Sequence, residues 1–237
     1  MPDLSLILPV LDEESIIEKV CQDIKNILDD ATIDYEIILV ENGSTDHTWE
    51  VLNKLARNDK RIIATQTKKG YGSAVLKGLS IATGKFVGYM PSDGQIDAAI
   101  LPRLLNEAQS DRYQLVKVKR LNRENWLRYI RSKIFNLLAH LLFPIDIVDI
   151  NGSPRIFKSI YLKILNLSYQ DSFIDTEFAM KAHILRWSIK ELPMRNLDRV
   201  GGKSTVRVST VFEFLRNLLT FRFGNQLNLW RIKHHIA

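Results

Sequence analysis

The fold of this chain is indicated first by residues 36–44, which read Glu36-Ile37-Ile38-Leu39-Val40-Glu41-Asn42-Gly43-Ser44. An apolar run that ends at polar residues and a glycine is typical of a buried strand followed by a turn. Val51, Leu52 and Leu55 then recur at helical spacing. The segment therefore predicts a strand, a turn and a helix, in that order.

The same order occurs on both sides of this segment. Residues 4–10 form an apolar run before a helical pattern over 16–28, and residues 61–65 precede a glycine-rich helix start at Gly70. Residues 86–90 form a fourth apolar run. Strands that alternate with helices predict an α/β fold with a mostly parallel sheet. Because ligands of such sheets bind beyond the carboxyl ends of the strands, the polar residues after these four strands are expected to share one rim.

Length and composition restrict the class of protein. The 237 residues allow one large domain or two small ones, and 46% hydrophobic with 25% charged residues is typical of a globular protein. The single cysteine, Cys21, excludes an intramolecular disulfide and a cysteine-rich zinc site. No basic leader precedes the first strand, and no apolar stretch reaches the roughly 18 residues of a membrane-spanning helix. These observations predict a cytoplasmic protein without a transmembrane helix.

Charge divides the chain into two parts. The formal net charge of +6 combines −6 over residues 1–100 with +12 over residues 101–237. A basic surface attracts phosphate, whether in nucleic acid, in anionic lipid or in a substrate. Nucleic acid is not favoured, because no RNA- or DNA-binding motif occurs and aromatic residues are not interleaved with the basic ones.

Polar residues at the predicted strand ends are the candidates for chemistry. Asp93, after the fourth strand, is suited to holding a hard divalent cation, and it is equally suited to a turn beside Gly94. The polar residues after the second strand suit a ribose and a base edge, or a turn and a helix cap. Neither a dinucleotide-binding fingerprint nor a P-loop is present.

Nine short segments, taken in chain order, form a pattern over residues 4–206. The segments are Pro9-Val10-Leu11-Asp12-Glu13, residues 40–46, Gly70-Tyr71-Gly72, Asp93-Gly94-Gln95, Val118-Lys119-Arg120, residues 149–157, Asp175-Thr176-Glu177, Glu191-Leu192-Pro193 and residues 199–204. As an ordered set, they resemble family 2 glycosyltransferases of the GT-A fold, close to the type that transfers mannose to dolichol phosphate.

The resemblance implies a domain division and an activity. A GT-A domain would span residues 1–207, with a nucleotide-sugar half at 1–100, an acceptor half at 101–207, and a basic amphipathic helical extension at 208–237. The implied reaction is inverting transfer of a hexose from a GDP- or UDP-sugar to a membrane-borne polyprenyl phosphate. The alternatives are transfer to a hydroxyl of a glycan or glycolipid, and a degenerate sugar-nucleotide binder without catalysis.

The resemblance also implies roles for particular residues, with Mg²⁺ or Mn²⁺ as cofactor. Asp93 and Gln95 would bind the metal, and Asp93, Arg199 and Glu177 would be catalytic, with Asp175 the alternative general base. Glu177 equally suits a helix start, where the helix dipole stabilises an acid. The donor would contact Pro9, Leu11, Glu13, Glu41, Asn42, Ser44, Asp46, Lys69, Gly70 and Ser92. The acceptor phosphate would contact Arg120, Arg128, Arg131, Ser132 and Lys203.

Two departures from the family pattern carry expectations of their own. Pro91 stands where the family has the first acid of its metal motif, so cation binding is expected to be weaker or to depend more on substrate phosphate. Glu41 and Asn42 stand where the family has two aspartates, which leaves the preference for a donor base open.

The end of the chain combines basic and apolar residues. Residues 199–237 carry seven Lys/Arg against Glu213, and residues 211–223 are strongly apolar. This pattern predicts helices that lie on a membrane surface, with Trp230 as an interfacial anchor. Packing on the protein core, or docking on a small membrane subunit, is the alternative.

Overall fold

A seven-stranded sheet organises the protein. The structure is a computed structural model in which residues 1–121, 147–197 and 208–236 are described. The described strands are β1 (Leu4–Val10), β2 (Tyr35–Glu41), β3 (Ile62–Gln66), β4 (Phe86–Tyr89), β5 (Leu115–Arg120), β6 (Arg155–Lys158) and β7 (Ile189–Met194).

The sheet has the order β3-β2-β1-β4-β6-β5-β7. β1 pairs in parallel with β2 and β4, and β2 pairs in parallel with β3. β6 runs antiparallel to both β4 and β5, whereas β5 and β7 are parallel. The predicted mostly parallel α/β sheet is therefore confirmed, with β6 as the strand that opposes the others.

Helices cover both faces of the sheet. They are α1 (Ile17–Asp30), α2 (Thr48–Asn58), α3 (Tyr71–Ile81), α4 (Leu101–Gln109), α5 (Leu162–Leu165), α6 (Ile174–Ile184), α7 (Val208–Phe223) and α8 (Asn225–Lys233). Short 3-10 helices occupy Ala98–Ile100 and Ser159–Tyr161.

Alternation along β1 produces two cores. Leu4, Leu6 and Leu8 pack with buried residues of α1, α2 and α4 on one face. Ile7 packs with buried residues of α3 and α6 on the other face. Successive side chains of a strand point to opposite faces, so a strand covered on both faces is apolar at nearly every position.

The strand register fixes the height of the functional rim. Tyr89 of β4 lies opposite Arg155 of β6, which lies opposite Lys117 of β5. Because β6 is antiparallel, its first residue lies at the edge where β4 and β5 end. Asp93, four residues beyond Tyr89, and Arg120, three beyond Lys117, therefore both extend past this level. Asp93 follows β4 and Arg120 ends β5. These two strands lie about 10 Å apart, because β6 lies between them.

The last two helices form a third core against α6. Leu218 and Phe221 of α7, with Leu227 and Trp230 of α8, pack with Phe173 and its neighbours. Trp230 is 4% exposed, and its indole N–H donates to the backbone oxygen of Ile164 over 2.7 Å. The prediction of Trp230 as an interfacial anchor is therefore wrong, because this side chain anchors α8 to the protein itself.

Among the described residues, no helix has both the length and the apolar character that crossing a membrane requires. The spacing of apolar residues over 125–143 predicts a further helix in the sequence, and this segment lies outside the described residues.

Candidate functional site

The carboxyl ends of the parallel strands and the first residue of β6 lie at one edge of the sheet, called the rim here. Pro9 is buried near the end of β1. Beyond this strand, Leu11 is half-buried and Glu13 is buried. The backbone N–H of Glu13 donates to the Thr48 hydroxyl over 2.8 Å. These three residues thus follow β1 to the rim, as the sequence predicts.

The end of β2 forms a turn organised by the Glu41 carboxylate. Its Oε1 accepts from the backbone N–H groups of Gly43 and Ser44 at 2.6 and 2.5 Å, and its Oε2 accepts from the Gln66 amide at 3.1 Å. The Asn42 side chain donates to the backbone oxygen of Val10 over 2.9 Å. Glu41 and Asn42 therefore shape the floor of the rim, and their contact with a nucleoside remains a prediction.

Two aspartates connect the loops that follow β1 and β2. Asp12, whose φ of 54° is left-handed, accepts from the Thr45 N–H at 2.6 Å, and its own N–H donates to the Ser44 hydroxyl at 3.0 Å. Asp46 accepts from the N–H groups of Thr48 and Glu14 at 3.0 and 3.2 Å. Charged acceptors form strong hydrogen bonds with backbone N–H groups, so these contacts hold the two loops together.

The glycine-rich start of α3 is explained by close backbone packing. A Cβ on Gly70 would lie 2.4 Å from the backbone oxygen of Gln170, and one on Gly72 would lie 2.4 Å from that of Tyr169. Ser73 donates its backbone N–H to the Gln170 oxygen over 2.9 Å. Lys69 is exposed, and its side chain lies beside Gly43 across the rim. Gly70 thus allows the backbone of residues 169–171 to approach closely. Of the two residues predicted here to contact the sugar donor, Lys69 is the exposed one.

The loop after β4 carries the candidate metal ligands. Asp93 is partly exposed, and its Oδ1 accepts from the Gln95 N–H at 3.2 Å around Gly94, whose φ is 71°. Gln95 is buried, and its backbone oxygen accepts from the Leu197 N–H at 2.9 Å. Ser92 is buried and donates its hydroxyl to the Pro9 backbone oxygen over 2.8 Å. Ser92 therefore holds this loop on β1, and its contact with the sugar donor remains a prediction.

The side-chain oxygens of this loop suit a hard divalent cation that takes its remaining ligands from water and a substrate. Asp93 supplies a carboxylate and Gln95 an amide oxygen, and Mg²⁺ characteristically takes one or two carboxylates with waters and substrate phosphate oxygens. Across the described ranges, no group of three or more His, Cys, Asp and Glu residues is arranged to hold a metal ion. The residues therefore suit a cation shared with a diphosphate.

A buried pair holds Arg120 at the end of β5. The Asp149 carboxylate accepts from the Nε and Nη2 of Arg120, both at 2.8 Å, and from the Arg120 backbone N–H at 3.1 Å. Burial would raise the pKa of the Asp149 carboxyl, but the hydrogen bonds and charge of Arg120 lower the pKa below its usual range. Asp149 engages one edge of the guanidinium and leaves the Nη1 amino group outside this pair.

Two further charged side chains fix Asp149. The Glu191 carboxylate accepts from the backbone N–H groups of Val148 and Asp149 at 2.9 and 3.1 Å. The fully buried Lys117 ammonium donates to the Asp149 backbone oxygen and lies 3.5 Å from Glu191. Burial, together with the charge of Arg155, lowers the pKa of Lys117 to about 8. Arg120 is thus the outermost member of a network formed with Lys117, Asp149 and Glu191, called the acceptor network here.

A second buried pair joins the start of β6 to α6. Arg155 Nη2 lies 3.1 Å from Asp175 Oδ1, which also accepts from the Tyr89 hydroxyl at 3.0 Å. The Arg155 guanidinium carbon lies 4.9 Å from the centre of the Tyr89 ring. Arg155 was not among the predicted site residues, although residues 149–157 carry the resemblance. Only the antiparallel register of β6, which the sequence does not reveal, places Arg155 beside Lys117.

Glu177 is completely buried and fully engaged. Its oxygens accept from the Ser168 N–H and hydroxyl, the Tyr169 N–H, and the Lys181 ammonium, at 2.7 to 3.1 Å. An active general base needs access to the proton that it removes. The environment of Glu177 thus favours a structural role over the predicted base, and Asp175, the alternative base, is held in its pair with Arg155.

Five predicted site residues lie outside the described residues: Arg128, Arg131, Ser132, Arg199 and Lys203.

Comparison with known proteins identifies the family. A family model described as glycosyl transferase family 2 matches residues 5–165, which is more than half of the chain. The chain belongs to glycosyl transferase family 2. The resemblance drawn from the nine sequence segments is thereby confirmed.

Two curated relatives of this family 2 chain have names that specify a polyprenyl phosphate. The undecaprenyl-phosphate 4-deoxy-4-formamido-L-arabinose transferase of Edwardsiella ictaluri is 25% identical over 221 residues, covering 92% of this chain and 67% of that protein. The dolichol-phosphate mannosyltransferase of Pyrococcus furiosus is 27% identical over 228 residues, covering 91% of this chain and 62% of that protein. This chain thus spans about two thirds of the length of these relatives.

Solved structures show the same fold. The glucosyl-3-phosphoglycerate synthase of Mycobacterium tuberculosis, in complex with Mn²⁺, UDP and glucosyl-3-phosphoglycerate, superposes with a TM-score of 0.69 at 20% identity, covering 94% of this chain and 80% of that one. The same enzyme with Mg²⁺ and UDP also gives 0.69, covering 93% and 79%. The GT-A fold is thereby confirmed, in neighbours that hold a divalent cation.

Proposed function

We propose that this family 2 protein is an inverting glycosyltransferase that moves a hexose from a nucleotide diphosphate sugar to a polyprenyl phosphate. One observation carries the proposal. The Asp93 loop, suited to a cation and a diphosphate, shares the rim with Arg120, a cation fixed by the acceptor network. The names of the two curated relatives support the same class of acceptor.

On the donor side, Asp93 and Gln95 would hold Mg²⁺ or Mn²⁺, and the loops after β1 and β2 would hold the nucleoside. A divalent cation neutralises the negative charge that develops on a departing diphosphate. Since Pro91 stands in place of the family's first acid, Asp93 is the one carboxylate at the positions of the family's metal motif. We infer that the cation and the nucleotide diphosphate bind as one unit.

On the acceptor side, the chemistry needs positioning more than proton transfer. An oxygen of the ionised acceptor phosphate attacks the anomeric carbon, the bond from that carbon to the diphosphate oxygen breaks, and the nucleoside diphosphate leaves with the electron pair. Arg120 is suited to aligning the phosphate because a guanidinium binds phosphate oxygens with fixed geometry. Arg128, Arg131, Ser132, Arg199 and Lys203 remain predicted partners of the same phosphate.

The hydroxyl-acceptor alternative receives less support from the site. Transfer to a hydroxyl requires a general base, and both candidate bases are buried in pairs, Glu177 with Lys181 and Asp175 with Arg155. A polyprenyl phosphate needs no such base. Its lipid chain lies in a bilayer, so the protein would work as a peripheral protein on the cytoplasmic face of a membrane, alone or with a small membrane subunit.

The test is a transfer assay with labelled sugars. The full chain is incubated with GDP- or UDP-hexoses, Mn²⁺ and a polyprenyl phosphate in detergent, and label is measured in the organic extract. We expect one donor to label the lipid, and Asp93→Asn to abolish labelling. Asp97→Asn is the matched control, because Asp97 is an exposed acid of the same loop that accepts from the Ala99 N–H. Nucleotide binding without any labelled product would favour the non-catalytic binder instead.

A further inference from the structure

Helix α7 leaves an apolar stripe exposed after burying its inner face. Leu218 and Phe221 are buried, whereas Leu219 and Phe223 are 50% and 72% exposed. Residues four apart lie on the same face of a helix, and so do residues three apart. Leu219 and Phe223 therefore lie side by side, and the exposed Arg216 lies one turn before them.

Helix α8 repeats this arrangement. Leu227 and Trp230 face the interior, whereas Leu229 and Ile232 are 63% and 71% exposed. These two exposed residues are three apart, and the exposed Lys233 follows them. Each helix thus has a buried apolar side that secures it to the protein and an outer apolar side that nothing in the described structure covers.

The charge of this region is predominantly positive. Residues 208–237 contain Arg216, Arg222, Arg231 and Lys233 against one acid, Glu213. An exposed apolar stripe within a predominantly basic region matches an anionic bilayer, whose headgroups attract the cations while its acyl boundary receives the apolar side chains.

We propose that the outer surface of α7 and α8 docks this protein on an anionic lipid bilayer. This docking surface consists of Leu219, Phe223, Leu229 and Ile232 with Arg216, Arg222 and Lys233. The inference rests on the proposed function only in that the bilayer would also supply the lipid-borne acceptor.

Hydrogen bonds connect α7 and α8 to the segment of residues 169–171. Asn217 donates to Asp171 over 2.7 Å, and the Tyr169 hydroxyl lies 3.0 Å from the Gln226 side-chain oxygen. Residues 169–171 also pack against Gly70 and Gly72 at the start of α3. The two helices that carry the docking surface are therefore joined to the segment that borders the donor side of the rim.

The test is vesicle flotation with the full chain, without nucleotide or polyprenyl phosphate. Vesicles of phosphatidylcholine alone are compared with vesicles that also contain phosphatidylglycerol. We expect binding to the anionic vesicles only, and a loss of binding as salt rises, because surface charges are screened within about a nanometre at physiological salt. The double variant Arg216→Gln/Arg222→Gln should bind about 30-fold more weakly, as each basic residue near an anionic leaflet contributes about 1 kcal/mol.

Apolar variants complete the test. Leu219→Ser/Phe223→Ser should weaken binding at least about tenfold, since less apolar surface enters the bilayer. Ile160→Ser is the matched control, because Ile160 is 73% exposed on the 3-10 helix Ser159–Tyr161, which is not part of α7 or α8. It should bind as the wild type does.

Three outcomes would contradict the proposal that this surface docks on a bilayer. These are equal binding to neutral and anionic vesicles, an effect of Ile160→Ser as large as that of the double variants, and a dimer that only the Leu219→Ser/Phe223→Ser variant disperses. The last result would show that a second copy covers this surface. Transfer to a short-chain, water-soluble polyprenyl phosphate analogue separates the two proposals, because that activity should persist in every docking variant.

Discussion

The two sides of the rim, which we assign by proposal to the donor and the acceptor, are built in different ways. On the donor side, the carboxylates of Asp12, Glu41 and Asp46 accept from backbone N–H groups of the loops after β1 and β2. On the acceptor side, Arg120 and Arg155 pair with the buried carboxylates of Asp149 and Asp175. The donor side is therefore a set of loops held together by hydrogen bonds to the backbone, whereas the acceptor side is a framework of charged side chains held in ion pairs.

The largest expected effect comes from breaking the buried pair of Arg155 and Asp175. Asp175→Asn leaves the Arg155 charge buried without its counter-ion, and such changes cost about 3–5 kcal/mol of folding free energy. Urea denaturation measures this loss directly. Glu18→Gln is the control, because Glu18 pairs with Lys54 across two exposed side chains and should lose no more than about 1 kcal/mol. Equal losses in the two variants would contradict the contrast between buried and exposed charges.

The second effect is a pH dependence of stability due to Lys117. Its folded pKa is lowered to about 8 from an ordinary value of 10.5, so between these values the unfolded chain binds more protons than the folded one. Stability therefore rises with pH across this window, by about 3 kcal/mol for a shift of this size. Lys117→Met should lack the rise. A wild-type stability curve parallel to that of Lys117→Met from pH 7 to 10.5 would contradict the assignment.

The third effect concerns substrate affinity at Arg120. Arg120→Lys keeps the charge but loses the planar fork that pairs with Asp149, so we expect the KM for polyprenyl phosphate to rise about 10- to 100-fold. The KM for the nucleotide sugar should stay unchanged. Arg112→Lys, at an arginine paired with Glu107 on the surface, is the matched control. A rise in the KM for the nucleotide sugar instead would show that Arg120 contacts the sugar donor.

The contrast also explains how much the sequence could predict. The four donor-side strands and the loops after them were predicted correctly, because each apolar run and its turn are adjacent in the chain. Leu8, for example, is buried on one face of β1 and Ile7 on the other, and such continuous burial leaves a plain apolar signal.

The acceptor side could not be predicted in the same detail, because its charged side chains meet through the antiparallel register of β6 and through ion pairs, neither of which leaves a periodic pattern in the sequence. Arg120 meets Asp149 across 29 positions, and the Glu191 carboxylate accepts from the backbone N–H groups of Asp149 and Val148, which lie 42 and 43 positions before it. Trp230 illustrates a second limit, since a tryptophan in a basic amphipathic helix has the same pattern whether it faces a bilayer or a core. The burial of Trp230 and its hydrogen bond to the Ile164 backbone oxygen distinguish the core position from the bilayer position.

We propose that the Asp93 loop binds a nucleotide diphosphate together with a divalent cation. Isothermal titration calorimetry of GDP and UDP, each with and without Mn²⁺, tests this binding, with Mn²⁺ alone and Asp97→Asn as controls. We predict weak binding of Mn²⁺ alone, at least about tenfold tighter binding of one nucleotide when Mn²⁺ is present, and loss of that gain in Asp93→Asn but not in Asp97→Asn. Binding of neither nucleotide with Mn²⁺, or an Asp93→Asn variant that keeps the full gain, would contradict the claim.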